Sequence, residues 1–105
     1  MLRIAIVGTG NISHNHIQGY QEFADRCQIV ALVDIYPEKA QEKKERYGLN
    51  HATVFSSHQA MLESGIEVDI VDVCTPPYVH AEISIDALNA GKHVLCEKPM
   101  AASLE

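Results

Sequence analysis

Leu2-Arg3-Ile4-Ala5-Ile6-Val7-Gly8-Thr9-Gly10-Asn11-Ile12-Ser13 decides how the chain is read. Leu2 to Val7 is an apolar run interrupted by Arg3, and the residues after Ser13 turn helical in pattern. The order is strand, glycine turn, helix. A helix N-terminus in that position offers unpaired N–H groups and the positive end of its dipole to a phosphate. Gly8 makes the tight turn and Gly10 lets the backbone approach a pyrophosphate, while Ser13 stands at the third position, where a small residue lets helix pack on strand. Asn11 and Ile12 complete the turn, so Gly8, Gly10, Asn11 and Ile12 are read as dinucleotide contacts.

Outward from this turn, apolar strand-like runs alternate with helical patterns, which implies a parallel sheet with helices on its faces. Ile12, His16, Tyr20 and Phe23 trace the first helical stripe, and Ile29 to Val33 reads as a strand buried on both faces. That strand ends in Asp34, twenty-one positions beyond Ser13. A carboxylate there can accept hydrogen bonds from an adenosine ribose; the alternative is that it caps the helix starting near Pro37. Its charge disfavours a 2′-phosphate, so NAD is expected as cofactor, with NADP left open by the nearby Lys39.

Gly48 suits the end of the second helix, whose mixed charges from Glu38 to Arg46 read as a solvated face with a Glu42–Arg46 ion pair. Thr53 to Phe55 is a brief third strand, followed by a capping-box match at Ser56-x-x-Gln59 and a helix ending at Gly65. Ile70 to Cys74 is the fourth strand, in which Asp72 reads as a strand-end residue paired to a neighbour. Thr75-Pro76-Pro77 then turns the chain at the C-terminal edge of the sheet, beside the expected cofactor crevice. His80 opens the next helix, as a cap or packing residue or as a cofactor contact, and Ile83, Ala87 and Ala90 line one stripe up to Gly91. His93 to Cys96 is the fifth strand, and Glu97-Lys98-Pro99 follows at once. Glu97 and Lys98 are either a surface ion pair or, with the lysine in a partly dry cleft, groups able to donate to a substrate oxygen and move its proton.

Composition bounds these readings. A chain of 105 residues, 47% hydrophobic and 21% charged, fits one soluble globular domain. The net charge of -6 provides no basic field for nucleic acid, and no apolar run reaches membrane-spanning length. The first strand starts at Leu2 without a secretory leader, so a cytoplasmic location is expected. Cys27, Cys74 and Cys96 are widely separated and read as reduced, buried small hydrophobes. His14 and His16 fall on different faces of a helix, so no metal site is expected, and His16 reads as a packed helix-face residue.

The chain resembles the Gfo/Idh/MocA family, which includes glucose-fructose oxidoreductase and inositol dehydrogenase. The likeness rests on Ile6 to Ile12, the strand ending at Asp34, Cys74-Thr75-Pro76-Pro77 with His80, and Gly91-Lys92-His93-Val94-Leu95-Cys96-Glu97-Lys98-Pro99. The last stretch is a signature of the family and rare elsewhere. By that resemblance Lys98 matches the lysine near the nicotinamide and the reacting carbon of the substrate. Glu97 matches a residue beside the nicotinamide, and Lys98-Pro99 is a candidate cis peptide. The family acts mostly on sugars, inositols and related polyols by hydride transfer to or from NAD(P). Its members continue into a second α/β domain that forms the substrate site and usually the oligomer interface.

The expected architecture is therefore a doubly wound, Rossmann-like α/β domain over residues 1–105, with five parallel strands in the order 3-2-1-4-5. Neither the sixth strand nor the substrate domain is expected within this chain, which reads as a truncated cofactor domain without turnover of its own. Its uncovered surfaces favour self-association or a homo-oligomer. A non-catalytic nucleotide-sensing module of the same fold is the alternative, and a domain binding adenosylmethionine is a more distant one.

Overall fold

The computed structural model describes residues 2–9, 11–75 and 77–96. Strand β1 (Leu2–Val7) is followed by α1 (Asn11–Gln21), β2 (Cys27–Val33), α2 (Pro37–Arg46), β3 (Thr53–Phe55), α3 (His58–Glu63), β4 (Ile70–Val73), α4 (Pro77–Asn89) and β5 (His93–Cys96). The strands form one sheet in the order β3-β2-β1-β4-β5, and every pairing is parallel. This is the expected doubly wound order. The chain winds outward from β1 through β2 to β3, then crosses back over them to place β4 on the other side of β1. The reversal opens a crevice at the C-terminal ends of β1 and β4, where open sheets of this kind bind ligands.

Alternation along β1 divides the core into two layers. Ile4 and Ile6 pack with Ile17, Ile29, Leu32, Ala40 and Cys74 beneath α1 and α2. Ala5 and Val7 pack with Val33, Met61, Val71, Val73, Ile83 and Ala87 beneath α3 and α4. Both faces are covered, which is why the strands read as near-continuous apolar runs. The β1–β2 register slips between Ile4 and Ala5, opposite Ile29 and Ala31, so that Val30 is the extra residue of a bulge.

Several boundaries differ from the pattern-based expectation. Helix α1 ends at Gln21, and Phe23 lies beyond it, exposed, its carbonyl accepting the N–H groups of Arg26 and Cys27 in the turn that starts β2 two residues early. Ser57, not Ser56, caps α3, accepting the Ala60 N–H at 3.0 Å. Helix α4 begins at Pro77, three residues before His80, because proline lacks only an N–H that the first turn leaves unused. Ile83 and Ala87 are buried as expected, but Ala90 falls past the helix and is exposed. Lys43 departs from the solvated face of α2: it is buried, with its amine over the Tyr47 ring. The Glu42–Arg46 pair forms at 3.6 Å, and Gly48, Gly65 and Gly91 take positive φ after their helices.

Candidate functional site

At the crevice, the end of β1 is pinned to both neighbouring strands. The Gly8 N–H donates to the Val33 carbonyl at 2.7 Å, and the Cys74 N–H donates to the Val7 carbonyl at 2.8 Å. Gly8 has φ +94°, and a Cβ there would lie 2.8 Å from Thr75 Cγ2 and 3.0 Å from the Cys74 carbonyl carbon and the Thr75 nitrogen. Only a residue without a side chain lets β1 turn this close to the β4 loop. Gly8, Asp34 and Thr75 are thereby gathered on one edge of the sheet.

Asp34 follows β2 directly and is half-buried. Its Oδ2 accepts the Thr9 hydroxyl at 2.7 Å and the Thr9 N–H at 3.0 Å, while Oδ1 accepts the Tyr36 N–H at 2.8 Å. Burial works to raise its pKa, but the Thr9 hydroxyl, the Tyr36 and Thr9 N–H groups and the Lys39 charge outweigh it and hold the carboxyl below its ordinary value. The group is a fixed anion at neutral pH. A carboxylate offers about four acceptor positions, and three are taken here, which leaves room on Oδ1 for a hydroxyl. The capping alternative is not what the structure shows. The N-cap position of α2 belongs to Tyr36 and has no side-chain cap. Ile35 and Tyr36 beside it are exposed, and the Lys39 amine lies 5.1 Å from the Tyr36 ring centre.

Asn11 and Ile12 open α1, and Pro77 and His80 lie in the first turn of α4. Gly10, Pro76, Glu97, Lys98 and the Lys98-Pro99 peptide lie outside the described residues.

Two features were not legible as site features in the sequence. Thr9 is buried and orients Asp34. Asp72 is fully buried within β4, not at its end, and its Oδ2 accepts from His16 Nδ1 at 2.6 Å and from the Tyr20 hydroxyl at 2.7 Å. Burial, then the Asp72 carboxylate, pushes the Tyr20 phenol far above its usual range, so it remains a donor. Cys74 Sγ lies 3.7 Å from Asp72 Oδ1. His16, Asp72 and Cys74 thus bring three metal-type donors within 4.8 Å of one another. The 2.6 Å His16–Asp72 separation is that of a charge-assisted hydrogen bond, closer than two ligands of one tetrahedral zinc ion sit. Neither Cys27 nor Cys74 is in a disulfide; Cys74 is buried as expected, whereas Cys27, at the start of β2, is only partly covered.

A twisted parallel sheet with its strand order reversing at a glycine turn, and a carboxylate after the second strand, defines a dinucleotide-binding α/β domain. The chain belongs to the Gfo/Idh/MocA oxidoreductase family with the NAD-binding Rossmann fold, whose family model matches residues 2–105. It is 38% identical, over 99% of its length, to D-glucoside 3-dehydrogenase of Escherichia coli (strain K12), of which it spans 29%. The WlbA dehydrogenase from Bordetella pertussis, solved with NADH and UDP-GlcNAcA, superposes on 94% of the chain with a TM-score of 0.85 and 37% identity, over 30% of that protein. The myo-inositol dehydrogenase from Lactobacillus casei, solved with NAD(H) and myo-inositol, superposes on 95% of the chain with a TM-score of 0.85 and 25% identity, over 29% of that protein. The chain therefore spans less than a third of the length of these relatives.

Proposed function

We propose that this chain binds NAD along the C-terminal edge of its sheet and serves as the cofactor domain of a longer dehydrogenase that moves a hydride between NAD and a sugar, inositol or related polyol. The observation that carries the reading is Asp34: an ionised carboxylate, oriented by Thr9, with an acceptor position left for a ribose hydroxyl. Gly8, whose missing side chain lets β1 turn hard against the β4 loop, fits the tight-turn position of a dinucleotide motif. When bound, NAD supplies the hydride acceptor or donor, and the protein's part is to bind and orient it. Gly10, Asn11 and Ile12 hold the pyrophosphate, Asp34 the ribose, and Thr75, Pro76, Pro77, His80 and Glu97 the nicotinamide end. Lys98 holds or moves the proton at the substrate oxygen. The roles of Glu97 and Lys98 come from the family resemblance.

The sugar or polyol class is supported by the named activities of the relatives. Because the chain spans less than a third of these relatives, substrate contacts in this proposal lie outside these residues, and turnover by them alone is not expected. A cytoplasmic setting and self-association of the isolated domain are part of the same proposal. No helix among the described residues is long and apolar enough to cross a membrane.

Titration of the chain with NADH, followed by cofactor fluorescence, tests the reading. Saturable binding is expected, weakened about ten- to a hundredfold in Asp34→Ala, the range for a charge-assisted hydrogen bond. NADPH is expected to bind more weakly than NADH, and Asp34→Asn to narrow that gap. Folded chain that fails to bind NADH, or binding undiminished in Asp34→Ala, would overturn it.

A further inference from the structure

We propose that Asp72, held by His16 and Tyr20, is a positioning residue that sets the glycine-turn end of α1 against the β4 loop, and that it is needed for the whole dinucleotide but not for its adenylate half. The inference deepens the cofactor reading above and rests on it.

The position of Asp72 is anomalous for its chemistry. It pairs in register with Ile6 on β1 and Leu95 on β5, so all three side chains project toward the α1 face of the sheet. An apolar residue would satisfy that site. Instead a carboxylate is buried there completely, a state that is strongly unfavourable unless its lone pairs are matched. The matching donors come from one helix, one turn apart. His16 and Tyr20 stand at i and i+4 on α1 and converge on the same Oδ2 at 2.6 and 2.7 Å.

Directional bonds do what apolar packing does not. Leucine against isoleucine tolerates sliding and rotation of a helix by a fraction of an ångström, whereas two short hydrogen bonds to one buried oxygen fix both. The consequence lies at the far ends of the two elements. Helix α1 starts at Asn11, directly after the glycine turn, and β4 leads through Cys74 into Thr75, which abuts Gly8. Asp72 therefore ties together the two segments between which a dinucleotide would lie. The adenylate side is held separately, because Asp34 takes its hydrogen bonds from Thr9 and Tyr36. Loosening α1 on β4 should misalign the pyrophosphate and nicotinamide subsites while leaving Asp34 as it is.

The test compares NADH with AMP on the full chain and on Asp72→Asn and Tyr20→Phe, using fluorescence for NADH and calorimetry for AMP. In Asp72→Asn the NADH dissociation constant is expected to rise about tenfold, the worth of a charge-assisted bond, with the AMP constant changed less than about twofold. Tyr20→Phe keeps the ring and the carboxylate and removes one donor, so it serves where Asp72→Asn does not fold. It is expected to weaken NADH about three- to fivefold with the same selectivity. Equal weakening of both ligands would reduce the cluster to a structural role and overturn the inference, as would no change in either. Wild-type chain that binds AMP but not NADH would instead overturn the cofactor reading, and the inference with it.

Discussion

Thr9 gives both its backbone N–H and its hydroxyl to one oxygen of Asp34, at 3.0 and 2.7 Å, so the residue between the two turn glycines orients the carboxylate at the end of the neighbouring strand. Thr9, at the β1 end of the turn, and Asp34 form one hydrogen-bonded unit, distinct from the bonds of His16 and Tyr20 on α1 to Asp72. On the proposed function, that fixed orientation would spare a bound ribose the entropy of ordering a free carboxylate.

Replacing the hydroxyl alone tests this unit. Thr9→Val keeps the branched shape at a buried position and the backbone N–H bond but removes the Oγ1 donor. A loss of about 1 kcal/mol in unfolding free energy is expected by denaturant titration, with NADH affinity reduced several-fold. Unchanged affinity would show that Thr9 supports the fold without preparing the site.

The acid response follows from two depressed carboxyls. Asp34 is held low by the Thr9 and Tyr36 donors against its burial. Asp69 is held low first by the Arg3 guanidinium and then by the Arg3 N–H. Each has a lower pKa folded than unfolded, so the unfolded chain takes up protons first as pH falls. Their stabilisation is complete above about pH 5, beyond the unfolded carboxylate range, and is lost as pH drops through the lower folded values. Thermal melting is expected to be insensitive to these groups from pH 7 to about 5 and to fall below about pH 4. Asp34→Asn should melt lower at neutral pH and show a shallower acid decline; an identical acid profile would contradict the assignment.

Gly8→Ala combines two penalties. The positive φ costs an L-residue about 1–2 kcal/mol. The new methyl would also meet backbone atoms at Cys74 and Thr75 3.0 Å away, where relief requires the crevice to open. A destabilisation of about 2 kcal/mol or more is expected, with loss of NADH binding. Gly65→Ala has comparable positive φ but nothing within 4 Å of its Cβ, so it should cost less and leave binding intact.

Leu95 on β5 shares the α1 face of the sheet with Asp72 yet is 49% exposed, and no further strand pairs with β5 among the described residues. An apolar strand edge of this kind invites self-association. Sedimentation of the isolated chain is expected to show dimers or larger species, reduced in Leu95→Glu. A monomer at every concentration would remove the expectation.

Much of this was legible beforehand because the relevant signals are local. Strand β1 and the glycine turn sit in one continuous stretch, and Asp34 ends an apolar run, so period and punctuation located both. The misplaced boundaries have local causes too. Ser56 and Ser57 are adjacent cap-forming residues, and which one accepts the Ala60 N–H depends on where the chain leaves β3. Lys43 reads as solvated from its charge alone, although Tyr47 stands at i+4, the spacing that brings its ring under the amine.

The alternation of strand and helix, and the places of Gly8 and Asp34 at strand ends, could be read from the chain because each is written in residues that are near neighbours along it. What holds Asp34, and what Asp72 holds, came instead from contacts between distant segments. Thr9 meets Asp34 across 25 residues, and His16 and Tyr20 meet Asp72 across 56 and 52. Those partnerships exist only when parallel register and helix packing bring distant segments to hydrogen-bonding distance, and a one-residue shift of β4 would turn Asp72 to the other face of the sheet.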